Sequence, residues 1–144
     1  IDAVERLKKL GYPIRLIFKT GIPSRDMRFI QSQADLVVDQ LNYGRFGATA
    51  RECLALGKPV ITNCNPLQRD GSSLKSLTEA PVFHASEETI FETLQSLCDE
   101  KESWKSISKR SRNYALNWFC ANQCAKRFEG VYDQVMRRER VNIM

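Results

Sequence analysis

The sequence predicts an α/β fold, a doubly wound parallel sheet with helices on both faces. Three observations carry this. Four short β-branched or aromatic runs alternate with helical stretches along the chain. Gly11 and Gly57 each stop a helix just ahead of a strand. A glycine-flanked loop, Gly44 to Gly47, opens a short helix soon after a buried strand, which presents a helix N-terminus to an anion.

The elements follow in order. Ala3, Val4, Leu7 and Leu10 form a helical stripe over Ile1 to Leu10. Tyr12 to Lys19 alternates like a strand, and Thr20-Gly21-Ile22-Pro23 is a turn. Ser24 is placed to cap a helix running to about Gln33. Leu36 to Asp39 is a short buried strand, because three consecutive apolar residues leave no polar face. Helix Ala48 to Leu56 ends at Gly57, and Pro59 to Thr62 is the next buried strand.

Asn63 to Ser73 is rich in turn residues, and Asp70 to Ser73 lies where a cleft rim would be. Leu74 to Glu79 is a short helix and Pro81 to His84 a strand. Ser86 caps a helix from Glu87 to Cys98, and Lys101 to about Arg138 holds two helices joined near residues 117–122. Trp104, Trp118, Phe119 and Phe128 sit at helical spacings and read as core. Ligands of such sheets bind outside the carboxyl ends of the strands, where the 44–47 loop lies.

The 144 residues fit one domain, and 42% hydrophobic with 27% charged residues is ordinary for a globular protein. No apolar run approaches the roughly 20 residues that span a bilayer. The chain opens directly on an amphipathic helix, which reads as no signal peptide and as a start inside something longer. Five cysteines without a CxxC pair read as reduced thiols of a cytoplasmic protein. Cys120, Cys124 and the single His84 lack a recognisable zinc pattern, so no metal is expected.

A net charge of +5 permits an anionic partner. No nucleic-acid module accompanies it, so nucleic acid is not expected. Lys105, Lys109, Arg110, Arg112, Arg137, Arg138 and Arg140 read either as a solvated helix face or as contact with the inner face of an anionic membrane.

Taken together, Ala34-Asp35-Leu36-Val37-Val38, Phe46-Gly47, Glu52 and Gly57-Lys58-Pro59-Val60-Ile61 resemble the C-terminal half of GT-B glycosyltransferases of the glycogen-synthase-like group. The likeness extends to both ends of the chain, through Ala3 to Leu7 with Ile14 to Phe18, Arg110 to Asn117, and Phe128 to Val135. It implies a Rossmann-like sheet lacking its first strand, and a retaining enzyme that moves a sugar from a nucleotide diphosphate. Acceptors of the type would be a cell-surface polysaccharide or a lipid-linked glycan. No cofactor or metal is implied beyond the nucleotide-sugar substrate.

The resemblance also implies site residues. Glu52 matches the acid that bonds the donor ribose hydroxyls. Gly47 matches the phosphate-loop glycine, so the N–H groups of Gly47, Ala48 and Thr49 would face the diphosphate. Arg45 and Phe46 would lie near the transferred sugar, and the loop holding Gly21 and Ile22 near the base. The family's other acid, eight positions before Glu52, falls on Gly44. Asp39, in Asp39-Gln40-Leu41, is the candidate to supply that missing carboxylate.

In the family, a Lys and usually an Arg that clamp the donor phosphates precede the helix matching Ile1 to Leu10, after an N-terminal acceptor domain. The chain alone is therefore expected to bind donor weakly and to transfer nothing. Two rival readings accompany this one. A UDP-sugar epimerase has the same fold, and a degenerate partner domain that binds without catalysis fits the glycine at 44. A dehydrogenase-type domain does not fit, because no GxGxxG follows the first strand.

Overall fold

The computed structural model describes residues 1–65 and 74–142, with side chains through residue 137. Helices α1 (Asp2–Lys9) and α2 (Ser24–Gln33) precede strand β1 (Val37–Val38). Helix α3 (Ala48–Ala55), strand β2 (Val60–Thr62), helix α4 (Lys75–Thr78) and strand β3 (Phe83–His84) follow. Helix α5 (Ile90–Asp99), a 3-10 turn (Lys101–Ser103), α6 (Trp104–Phe119) and α7 (Ala121–Asn142) complete the chain. The strands form one parallel sheet in the order β1-β2-β3, with Val37 beside Val60 and Ile61 beside Phe83.

Strand β2 is buried along its whole length, and its two faces divide the core. Ile61 packs with Val4 and Leu7 of α1 and Leu94 and Leu97 of α5. Val60 points the other way, into Ala50, Cys53 and Leu54 of α3 and Tyr114 and Ala115 of α6. Successive side chains of one strand thus hold helices against opposite sides of the sheet, which gives the expected α/β layering. Leu7, Leu54, Val60 and Ile61 are fully buried, and each contributes roughly 1.5–3 kcal/mol relative to exposure.

Several expectations are corrected. Strand β1 is not buried: Val37 is half-buried and Val38 is 42% exposed, because β1 is an edge of the sheet. Helix α5 starts at Ile90 behind Thr89, three residues later than a cap at Ser86 would place it. Tyr12 to Lys19 is no strand: residues 13–20 have no regular structure. Tyr12 and Ile14 anchor on the α1/α5 core, but Leu16 and Phe18 are 40% and 67% exposed. Alternation supplies a buried face and not a hydrogen-bonding neighbour, and the sheet ends at β1. Phe128 is not core either. With Val131, Tyr132, Val135 and Met136 it forms an exposed stripe on α7, each residue 48–64% accessible. Spacing marks a shared helix face, and only a neighbouring element would bury it. Trp104 joins the α1/α5 core as expected, and Trp118 and Phe119 the α3/α6 core. The 70–73 turn lies outside the described residues.

Helix α3 packs along α6. Gly57 ends α3 with φ +72°, and a Cβ there would stand 3.2 Å from the Ser108 carbonyl oxygen. Gly57→Ala is therefore expected to lose about 1–3 kcal/mol in urea denaturation, from strain in the left-handed region. Gly130, inside α7 with open space around it, gives the opposite sign: Gly130→Ala gains roughly 0.5–1 kcal/mol.

Candidate functional site

Helix α3 starts where the chain returns from the carboxyl end of β1. Asp39 N–H donates to the Ile61 carbonyl (2.9 Å), which fixes the exit of β1 against β2. The Gln40 carbonyl then accepts from Asn63 N–H (2.8 Å) and from Thr62 Oγ1 (3.0 Å). Gly44, at φ +74°, turns the loop, and its carbonyl accepts from Asn65 N–H (2.9 Å) and Arg45 Nη1 (2.9 Å). Arg45 Nη1 also reaches the Asn65 carbonyl. The loop is thus tied to the chain leaving β2, the usual place for a ligand on an open α/β sheet.

Gly47 is the N-cap of α3. Its N–H donates to Asp39 Oδ2 at 3.0 Å, so a carboxylate of the chain itself sits at the positive end of the helix. The first intrahelical bond runs from Arg51 N–H to the Gly47 carbonyl (3.4 Å), which leaves the Ala48 and Thr49 N–H groups ahead of it unbonded within the helix. Ala48 and Thr49 are exposed. The three N–H groups expected to face one anion are therefore divided: one holds Asp39 and two are open.

Glu52 lies one turn further on and is exposed. Gln31 Nε2, from α2, donates to its Oε2 at 3.0 Å. Asp39 and Glu52 both act on the buried thiol of Cys53, the residue after Glu52. Burial first, and then these two carboxylates, push it from 9.0 up to about 12. Cys64 lies buried behind the loop, its thiol also raised by burial, against a backbone bond from Phe46 that lowers it.

The other expected residues separate into two groups. Phe46 turns its ring into the α3/α6 core, edge-on to Phe119 at 6.3 Å, so its side chain packs while its backbone belongs to the loop. Gly21 (φ +69°) and the half-buried Ile22 lead into α2 and take no part in the bonds that join the 39–47 and 63–65 loops. Asn65, bonded to both Gly44 and Arg45, was not singled out from sequence, and neither was Gln31. Gln31 had a signal: it continues the stripe Met27, Ile30, Ala34, where an apolar residue is the norm.

A cleft of about 570 Å³ lies elsewhere, lined by Glu79, Pro81, Phe83, Arg110, Asn117 and Trp118, and shares no residue with the α3 mouth. His84 is exposed at the end of β3, and the five cysteines are free thiols. Among the described residues no helix is long and apolar enough to cross a membrane. Comparison of the chain with protein-family models, with curated proteins and with solved structures gives no match.

The raised Cys53 thiol has a sign that can be measured. A group whose folded pKa exceeds its unfolded value adds stability that is complete below the unfolded pKa and is lost as pH rises. The fold is expected to lose stability between pH 9 and about 12. At pH 8 a thiol reagent leaves Cys53 unmodified until denaturant is added, as followed by peptide mass spectrometry.

Proposed function

We propose that this chain is the donor-binding part of a GT-B-type glycosyltransferase, which moves a sugar from a nucleoside diphosphate to a polysaccharide or lipid-linked acceptor. The observation that carries the reading is the start of α3. Two open N–H groups, Ala48 and Thr49, and an exposed, oriented carboxylate, Glu52, lie within five residues of one another at the strand-end mouth of a parallel sheet. An anion at the first and a vicinal diol at the second match the two polar parts of a nucleoside diphosphate.

On this reading the helix dipole and the N–H groups stabilise the departing diphosphate. Glu52 accepts from the ribose hydroxyls. Asp39, bonded to Gly47 N–H, is the carboxylate that joins Glu52 at the mouth among the described residues, and takes the role left by Gly44: a bond to a donor-sugar hydroxyl. It cannot keep its present bond and share the helix end with a phosphate without repulsion, so donor binding draws it from Gly47 toward the sugar. The absence of a side chain at Gly44 favours a second reading, a partner domain of the same fold that binds donor and does not transfer.

The proposed partners are an N-terminal acceptor domain of the same protein and, at the basic residues Lys105, Lys109 and Arg110, an anionic membrane surface. The exposed stripe on α7 supports the presence of a covering partner.

Titration with UDP and GDP tests the donor site. The chain is expected to bind one of them, and Glu52→Ala to weaken that binding about tenfold or more, the worth of a hydrogen bond to a charged acceptor. An unchanged affinity in Glu52→Ala sinks the donor-site reading. Sugar transfer by the full-length protein, with its loss in Asp39→Ala, separates the enzyme from the non-catalytic partner.

A further inference from the structure

We propose that Gln31 is a positioning residue for Glu52: it fixes the carboxylate so that one oxygen is kept for the ribose diol of the ligand. The inference rests on the donor-site reading above and adds a residue to it.

Gln31 is the one buried residue of α2, 5% exposed, on a helix that packs against α3. It occupies a place in the stripe Met27, Ile30, Ala34 that packing alone would give to an apolar side chain. Its two amide ends are used unequally. Nε2 donates to Glu52 Oε2 at 3.0 Å, whereas Oε1 is buried and has no partner. A buried amide oxygen without a donor is costly, and few such atoms persist without a reason. Packing does not supply the reason, because an apolar residue of the same size removes the cost. The bond to Glu52 does.

The geometry explains what that bond achieves. Glu52 is an exposed side chain on a short helix, and a free glutamate there samples several rotamers. A donor fixed by burial holds Oε2 and leaves Oε1, which has no partner among the described residues, as the acceptor for a ligand. Ligand hydroxyls then meet a carboxylate already in place, and less freedom is lost on binding. The other buried side-chain polar atom without a partner among the described residues, Ser111 Oγ, differs: it lies on α6 and bonds no group of the site.

The experiment compares the wild-type chain with Gln31→Met, which is similar in length and cannot donate. Each is titrated with UDP, with GDP and with inorganic pyrophosphate, and each is unfolded in urea. Gln31→Met is expected to weaken nucleoside diphosphate binding by about fivefold to tenfold. It leaves pyrophosphate affinity unchanged, because pyrophosphate has no diol for Glu52 to hold. The unfolding midpoint stays or rises, since the unpaired oxygen is gone.

Equal weakening for the nucleotide and for pyrophosphate means a general collapse of the site and overturns the inference. So does an unchanged nucleotide affinity in Gln31→Met when Glu52→Ala weakens it; in that case the donor-site reading survives alone. If neither nucleotide binds the wild-type chain, the reading and this inference fall together. Gln31→Asn, one methylene shorter and so unable to span to Glu52, gives the same comparison if Gln31→Met does not fold.

Discussion

The structure depends on three buried residues, Val60, Ile61 and Thr62 of β2. Val60 and Ile61 point to opposite faces and hold a separate helix layer each. The strand also pairs on both edges, with β1 through Val37 and with β3 through Phe83. Thr62 and Asn63 then bond the Gln40 carbonyl and so fix the loop that leads to α3. The fold and the candidate site share this one support. A polar or cavity-forming change in β2 would loosen both cores and the loop together, because β2 is fully buried and its neighbouring residues divide between the two cores.

The short helix α3 is closed at both ends by groups from elsewhere in the chain. At its start Asp39 bonds Gly47; at its end Gly57 takes a left-handed turn and Arg112 reaches the Ala55 carbonyl. An isolated helix of eight residues is not stable in water, so these ends and the α6 contact hold it. The same closure shapes the mouth. It sets an internal carboxylate against the helix dipole, leaves the next N–H groups to solvent, and puts Glu52 one turn away under the amide of Gln31. The Asp39 carboxylate there offsets part of the positive end of the helix dipole.

The residues differ in how much of this their types announced. Gly57 is readable because its neighbours demand a stop before a buried strand, and glycine enters the left-handed conformation of such a stop without strain. The strands at 37–38, 60–62 and 83–84 are readable as apolar runs between breakers. Asp39 and Glu52 are readable as acids beside a loop, but not their partners. The Asp39–Gly47 bond spans a turn whose shape comes from the Gly44 carbonyl meeting Asn65, and the Gln31–Glu52 bond joins two helices. Such bonds depend on how helices sit on the sheet, and spacing along the chain does not encode that.

The sequence by itself determined the α/β class of the fold, the strands at 37–38, 60–62 and 83–84, and the loop that opens α3. These follow from periodicity and from backbone-restricting residues, which act over a few positions. Only the tertiary structure decided which apolar faces are covered. Among the described residues, Tyr12 to Lys19 has a strand's alternation and no strand beside it, and Phe128 has a core residue's spacing and no helix over it. It also decided that the first N–H of the α3 mouth holds Asp39 while Glu52 is held from α2. Burial and hydrogen bonding each need a second surface, and that surface arrives only when distant segments pack.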